Sequence, residues 1–178
     1  VTLTLEKCQR AADAWGFNCG PAALCAVLGK SPDDVRPLLG DFEAKGYTNP
    51  TLMYAALKLA GVTARTTYRG DVPRAFPDVT HGLVRVQWGG SWTNPGVPMG
   101  ARYRRTHWVA MRTGREVLGA FAVPKRLGRE VFDVNAMCVG GWLEFAEWET
   151  QMMPWLGGAV VPGWDGRIWP THVIEVAA

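Results

Sequence analysis

The sequence holds little of what a metal site or a disulfide framework requires. Its 178 residues include four cysteines and three histidines. No Cys-x-x-Cys pair occurs and no cysteine lies close in sequence to a histidine, so the spacing of a zinc site is missing and neither metal nor cofactor is indicated. Cys19 and Cys25 fall on one short helical stretch, which disfavours a bridge between them, and free thiols fit a reducing compartment. No run of about 18 consecutive apolar residues exists, and the N-terminal stretch mixes Thr, Glu and Lys in place of a secretory signal. A cytoplasmic protein with no membrane partner is expected. Val1 replaces a methionine at the first position, as expected of a processed or trimmed chain. The net charge is only +3, so charge gives no argument for nucleic acid. Arg102, Arg104 and Arg105 flank Tyr103, and Lys125, Arg126 and Arg129 follow. Both groups read as solvated loops, with a phosphate or acidic-substrate contact as the alternative. There is no repeat, linker or low-complexity segment, so residues 1–178 read as a single domain.

What is present centres on Asn18-Cys19-Gly20-Pro21-Ala22-Ala23-Leu24-Cys25-Ala26-Val27-Leu28-Gly29. Asn18, Gly20 and Pro21 favour a turn, Pro21 suits the first turn of a helix, and Gly29 is a natural stop. This spacing puts the Cys19 thiol at a helix N-terminus, where free N–H groups and the macrodipole favour the thiolate. The competing reading is a structural cysteine buried at a helix start.

Residues 1–17 read as an extended segment and then a loop. Ser31-Pro32-Asp33-Asp34 and Asn49-Pro50 each carry a cap followed by proline, predicting helices that end at Gly40 and Gly61. Val62 to Tyr68 and the alternating Leu83 to Trp88 predict strands. A Gly- and Pro-rich loop from Gly89 to Arg105 is long enough to be functional. Further strands are expected at Thr106–Arg112, Glu116–Val123, Glu130–Asn135 and, after a helix over Gly141–Met153, at His172–Val176. Helices first and an antiparallel sheet after them make an α+β domain.

A thiolate nucleophile needs a base, and the base needs a group that fixes its tautomer. His107 opens an apolar strand directly after the long loop, which places its ring at a cleft. His81 sits in a turn-like stretch, and His172 follows Pro170 near the end of the chain. Asp133 lies between Phe132 and Val134, where a charge is costly unless paired. Asn135 shares its face by strand alternation and is the alternative orienter. Eight of the nine tryptophans occur from Trp88 onward, and Trp88, Trp108 and Trp142 are candidates to line a substrate surface.

In this order, Asn18-Cys19-Gly20-Pro21-Ala22-Ala23-Leu24, Thr106-His107-Trp108-Val109-Ala110 and Val131-Phe132-Asp133-Val134-Asn135 resemble the three motifs of papain-like cysteine peptidases. The bacteriocin-processing peptidase-like group is the nearest branch. The resemblance covers about residues 8 to 137. It implies a papain-like fold, with N-terminal helices carrying the nucleophile packed on a sheet carrying His and Asp. It implies a thiol hydrolase that cleaves a peptide or isopeptide bond in a protein or peptide substrate through an acyl-Cys19 intermediate. His107 would then be general base and acid, and Asp133 its orienter. The family places an oxyanion-binding glutamine six residues before the cysteine, where this chain has Asp13. An ionised carboxylate would repel the oxyanion, which leaves Gln9 as the substitute donor, together with the Cys19 backbone N–H. Two other readings keep the same residues. One is a transglutaminase-like acyltransferase that passes the acyl group to an amine. The other is a papain-fold binding module that has lost catalysis.

Overall fold

The computed structural model describes Asp13 and residues 18–113, 117–118, 124–125, 128–139 and 141–177. Its first helices begin and end where the capping chemistry dictates. The Cys19 helix runs Cys19–Leu28 and stops at Gly29, whose φ of 62° lets its N–H turn back to the Cys25 carbonyl. Ser31 and Asp34 form a reciprocal capping box at the start of Pro32–Val35. Pro37 then tightens the chain into a 3-10 turn over Arg36–Leu39, because it has no N–H to continue the α-helical ladder. A short helix Phe42–Lys45 follows, and Asn49 caps Pro50–Leu59 by accepting from the Leu52 N–H at 2.8 Å. Asp13, read from the sequence as loop, is helical. The rest of the 1–17 expectation, Cys8 and Gln9 included, lies outside the described residues.

Among the described residues eight strands follow: β1 Ala64–Arg69, β2 His81–Gly90, β3 Thr106–Thr113, β4 Val117–Leu118, β5 Pro124–Lys125, β6 Arg129–Phe132, β7 Trp142–Glu144 and β8 Trp164–Val176. Six of them form an antiparallel sheet in the order β1-β8-β2-β3-β6-β7, while β4 and β5 pair separately. The protein is therefore α+β, with its helices first and an antiparallel sheet after them.

Three expectations are corrected. The 141–153 segment opens as β7 and becomes helical only at Phe145. It passes through a π turn at Trp148–Met152 before Met153–Val160, where Pro154 cannot donate back to the preceding turn. The final strand is 13 residues long rather than five. Gly166 and Pro170 hide it in the sequence, but Pro170 sits at a register shift against β2, where a missing donor breaks no regular ladder. The loop 89–105 contains a 3-10 turn at Ser91–Thr93 and a short helix at Met99–Arg102.

Strand alternation divides the core between the two faces of the sheet. Leu83, Trp108, Ala110, Phe132 and Ile174 pack with Ala23, Leu24, Met53 and Leu57 of the helices. Val84, Val86, Val109, Met111 and Val173 pack with Phe145, Trp148, Met153 and Leu156. Among the described residues no helix is long and apolar enough to cross a membrane.

Candidate active site

Strand β6 ends at Phe132, opposite Ala110 of β3. Among the described residues the outer edge of β3 at 107–109 is consequently left without a strand, and the N-terminus of the Cys19 helix meets β3. The Cys19 sulfur accepts a hydrogen bond from the Trp108 backbone N–H at this edge. The helix is held close by Gly20, where an added Cβ would overlap the Thr48 side chain. Trp108 fixes the same segment from the other side, donating its indole N–H to the Thr48 carbonyl at 3.2 Å.

His107 is buried, at 4% exposure, and bridges two groups. Its Nε2 lies 2.7 Å from Asp133 Oδ1, which leaves Nδ1 for its hydrogen bond with the Cys19 sulfur. Asp133 is 1% exposed and fully partnered. Oδ1 also accepts from the Asn135 backbone N–H at 2.9 Å, and Oδ2 accepts from the Trp148 indole N–H at 2.9 Å. The chain leaves the β ladder after Phe132 and turns into a 3-10 segment over Val134–Val139, so Asn135 serves through its backbone and not through its amide. The alternation that put the Asn135 side chain beside Asp133 does not extend that far.

The electrostatics form one coupled set. Burial pushes the Cys19 thiol up, but the adjoining His107 charge, its hydrogen bond and the Trp108 N–H together bring it below the ordinary thiol value. Burial disfavours a charged His107, yet Asp133 on one side and Cys19 on the other hold its pKa well above the usual 6.5. Desolvation opposes ionisation of Asp133, and His107, Trp148 and the Asn135 N–H overcome it, so its pKa is lowered. A thiolate, an imidazolium and a carboxylate in a row are the consistent charge state.

Cys19 opens on a cleft of about 660 Å³. Asn18, Thr48, Arg85, Tyr103, Arg104 and Trp108 are among its lining residues. Asn18 makes no side-chain cap, so the first N–H groups of the Cys19 helix are not satisfied by it, and Asn18 lines the cleft next to Cys19. Asp13 is exposed. Gln9, the substitute donor expected from the sequence, lies outside the described residues.

The tryptophan candidates divide. Trp108 lines the cleft. Trp88 does not: it is 4% exposed, packs edge-on against Trp164 at 5.7 Å and backs the His107 ring at 6.5 Å. Trp142 also lies elsewhere, with the Arg112 guanidinium 4.1 Å above its ring. The other histidines are structural in position. His81 donates from Nε2 to the Val27 carbonyl at 2.8 Å, tying β2 to the Cys19 helix. His172 is buried on β8 in register with Arg85. Sequence reasoning missed Trp148, because its place on an apolar helical stripe looked like core packing alone. It also missed Arg85, which interrupts an alternating strand as an ordinary outward residue would.

No family model, curated protein or solved structure matches the chain. Among the described residues no cluster of three or more His, Cys, Asp or Glu could hold a metal ion.

Proposed function

We propose that this protein is a papain-like thiol hydrolase that cleaves a peptide or isopeptide bond through an acyl-Cys19 intermediate. The observation that carries the reading is the unbroken Cys19–His107–Asp133 hydrogen-bond chain at the mouth of a cleft. The Cys19 thiolate attacks the amide carbonyl carbon, and the carbonyl oxygen takes the negative charge against the helix N-terminal N–H groups and the Asn18 amide. His107 gives its Nδ1 proton to the departing amine as the C–N bond breaks, leaving a thioester on Cys19. Water then adds to the thioester carbonyl while neutral His107 removes its proton. Collapse of that adduct releases the carboxylic acid and restores the thiolate–imidazolium pair. Asp133 keeps the imidazole in the required tautomer throughout, with Trp148 and the Asn135 N–H fixing the carboxylate in turn.

The test is the rate of Cys19 alkylation by iodoacetamide against pH, with His107→Ala as control. A reactive plateau that extends well below the free-thiol pKa of about 8.5 and vanishes in the variant is expected. A simple titration near that value, unchanged by the substitution, would overturn the reading. Adding amines to the enzyme acylated by an activated ester separates hydrolysis from acyl transfer, since only a transferase yields the amide product in preference to the acid.

A further inference from the structure

We infer that the Cys19 cleft recognises a carboxylate on the substrate, through Arg85 and Arg104. The inference deepens the hydrolase reading and rests on it only for the word substrate. Among the described residues two that line the cleft are arginines and none is a carboxylate. Several arginines elsewhere in the fold are matched, Arg112 with Glu130 at 2.6 Å, Arg36 with Glu43 at 2.6 Å, Arg129 with Asp78 at 3.7 Å and Arg102 with Asp71 at 3.9 Å, while the described Arg69, Arg74 and Arg105 lie outside the cleft lining and have no described carboxylate within ion-pair distance. Among the described residues Arg85 and Arg104 form no such pair.

Arg85 is the informative one, because it is placed rather than merely exposed. It lies in the interior of β2, in register with Trp108, whose backbone N–H bonds the Cys19 sulfur. Directly paired residues project to the same face of a sheet, so the guanidinium is carried on the face that holds the Trp108 side chain. Its Nη2 donates to Thr106 Oγ1 at 3.1 Å, and the group sits 5.1 Å from the centre of the Tyr103 ring. Nε is buried and has no partner. A half-buried cation with an unused donor is costly in a finished fold, and the cost is relieved when an anion enters. His172, in register on the other side of Arg85, is an imidazole and so supplies no negative charge, and burial and its arginine neighbours keep it neutral down to about pH 4. Burial also presses on the Arg85 charge, against which Tyr103 and Cys19 act. Arginine stays protonated in such surroundings and presents a planar fork that matches a carboxylate. Arg104 stands at the exposed rim of the same cleft, where it would draw the anion in.

The experiment compares two alkylating agents of nearly equal shape, iodoacetate and iodoacetamide, in the full chain. In both, the Cys19 sulfur displaces iodide and forms a thioether, and modification of Cys19 is quantified by peptide mass spectrometry. The ratio of the two rate constants is read at a pH where Cys19 is fully thiolate, so the result does not depend on activation by His107. Arg85→Met is expected to lower the iodoacetate-to-iodoacetamide ratio by about tenfold, with Arg85→Lys retaining much of it and added salt eroding it. Arg104→Gln, an exposed change that leaves the core intact, is expected to lower it about threefold. A ratio that is the same in all variants would overturn the inference. So would a parallel loss with both reagents, because that would make Arg85 a stabiliser of the thiolate only. A low-pH iodoacetamide plateau with an unchanged ratio removes the inference and leaves the hydrolase reading standing. The source of the carboxylate is resolved by protection of Cys19 against iodoacetamide. Preferential protection by N-acetylglutamate amide indicates an acidic side chain, and by N-acetylalanine a chain terminus. Protection by neutral N-acetylglutamine amide equal to both overturns carboxylate recognition.

Discussion

Trp148 donates its indole N–H to Asp133 Oδ2 at 2.9 Å, and both residues are buried to 1% exposure or less. The bond joins the π turn that follows β7 to the residue just past the end of β6. It makes the packing of the C-terminal helical segment a determinant of how Asp133 faces His107. Trp148→Phe keeps the aromatic bulk against Phe76 and Phe145 but leaves Oδ2 without its donor. The expected result is a loss of about 1–3 kcal/mol in urea unfolding, as for any buried acceptor left unsatisfied. The carboxylate also loses a group that favours its charged form, so the acid limb of the stability-versus-pH profile moves to higher pH. A stability loss with no movement of that limb would make Trp148 a packing residue alone.

Asp133→Asn tests the charge separately from the shape. The amide can still meet His107 Nε2, but the imidazolium loses its carboxylate and its pKa falls toward the ordinary value. The alkaline limb of the reactivity profile is expected at lower pH, and turnover of a cleavable amide is expected to drop by about 10²-fold or more. His107 titration followed by NMR in wild type and variant checks the direction.

Gly20 is required by space and not by backbone freedom. An added Cβ would fall on the Thr48 side chain, so Gly20→Ala must move either the helix start or the 46–49 segment of the cleft wall. The expected cost is about 1–3 kcal/mol, typical of an overpacked site. Cys19 alkylation at neutral pH is expected to slow as well, because the Trp108 N–H and His107 no longer meet the sulfur together. Equal reactivity in the variant would show that the cleft wall can yield.

The pH dependence of stability has two separate acid contributions. Asp133 is held below its ordinary value, so its contribution is complete above the usual carboxylate range and is lost only as pH falls through the lowered folded value. His172 acts earlier. Its folded pKa of about 4 lies below the unfolded 6.5, so the unfolded chain binds the proton first and stability falls as pH drops from 6.5 towards 4. The full effect is up to about 3 kcal/mol. His172→Gln is expected to flatten that slope in urea unfolding at a series of pH values. His107 has the opposite sign: raised in the fold, it stabilises fully below 6.5 and its contribution is lost as pH rises through its elevated value.

Much of the candidate site was legible because it rests on local chemistry. The Cys19 helix, its Gly29 stop, the Ser31 and Asn49 caps and the His107 strand each follow from a few neighbouring residues. Asp133 stood out for a similar reason, as a charge set between Phe132 and Val134. The place of Asn18 was harder to read. Asn18 appeared as a turn residue, and its place beside the sulfur depends on how the helix start meets β3. The length of β8 was hidden by Gly166 and Pro170, whose usual breaking effect is absorbed at an irregular register.

By itself the sequence determined the elements that short-range forces control: where helices are capped, which stretches alternate, and which thiol starts a helix. Only the tertiary structure decided that β8 inserts between β1 and β2, and that β6 ends opposite Ala110. It alone placed Trp148 behind Asp133 and left Arg85 unpaired in the cleft. Those outcomes depend on pairings between residues far apart in the chain. Backbone hydrogen bonds and buried area are indifferent to sequence distance, so no local pattern encodes them.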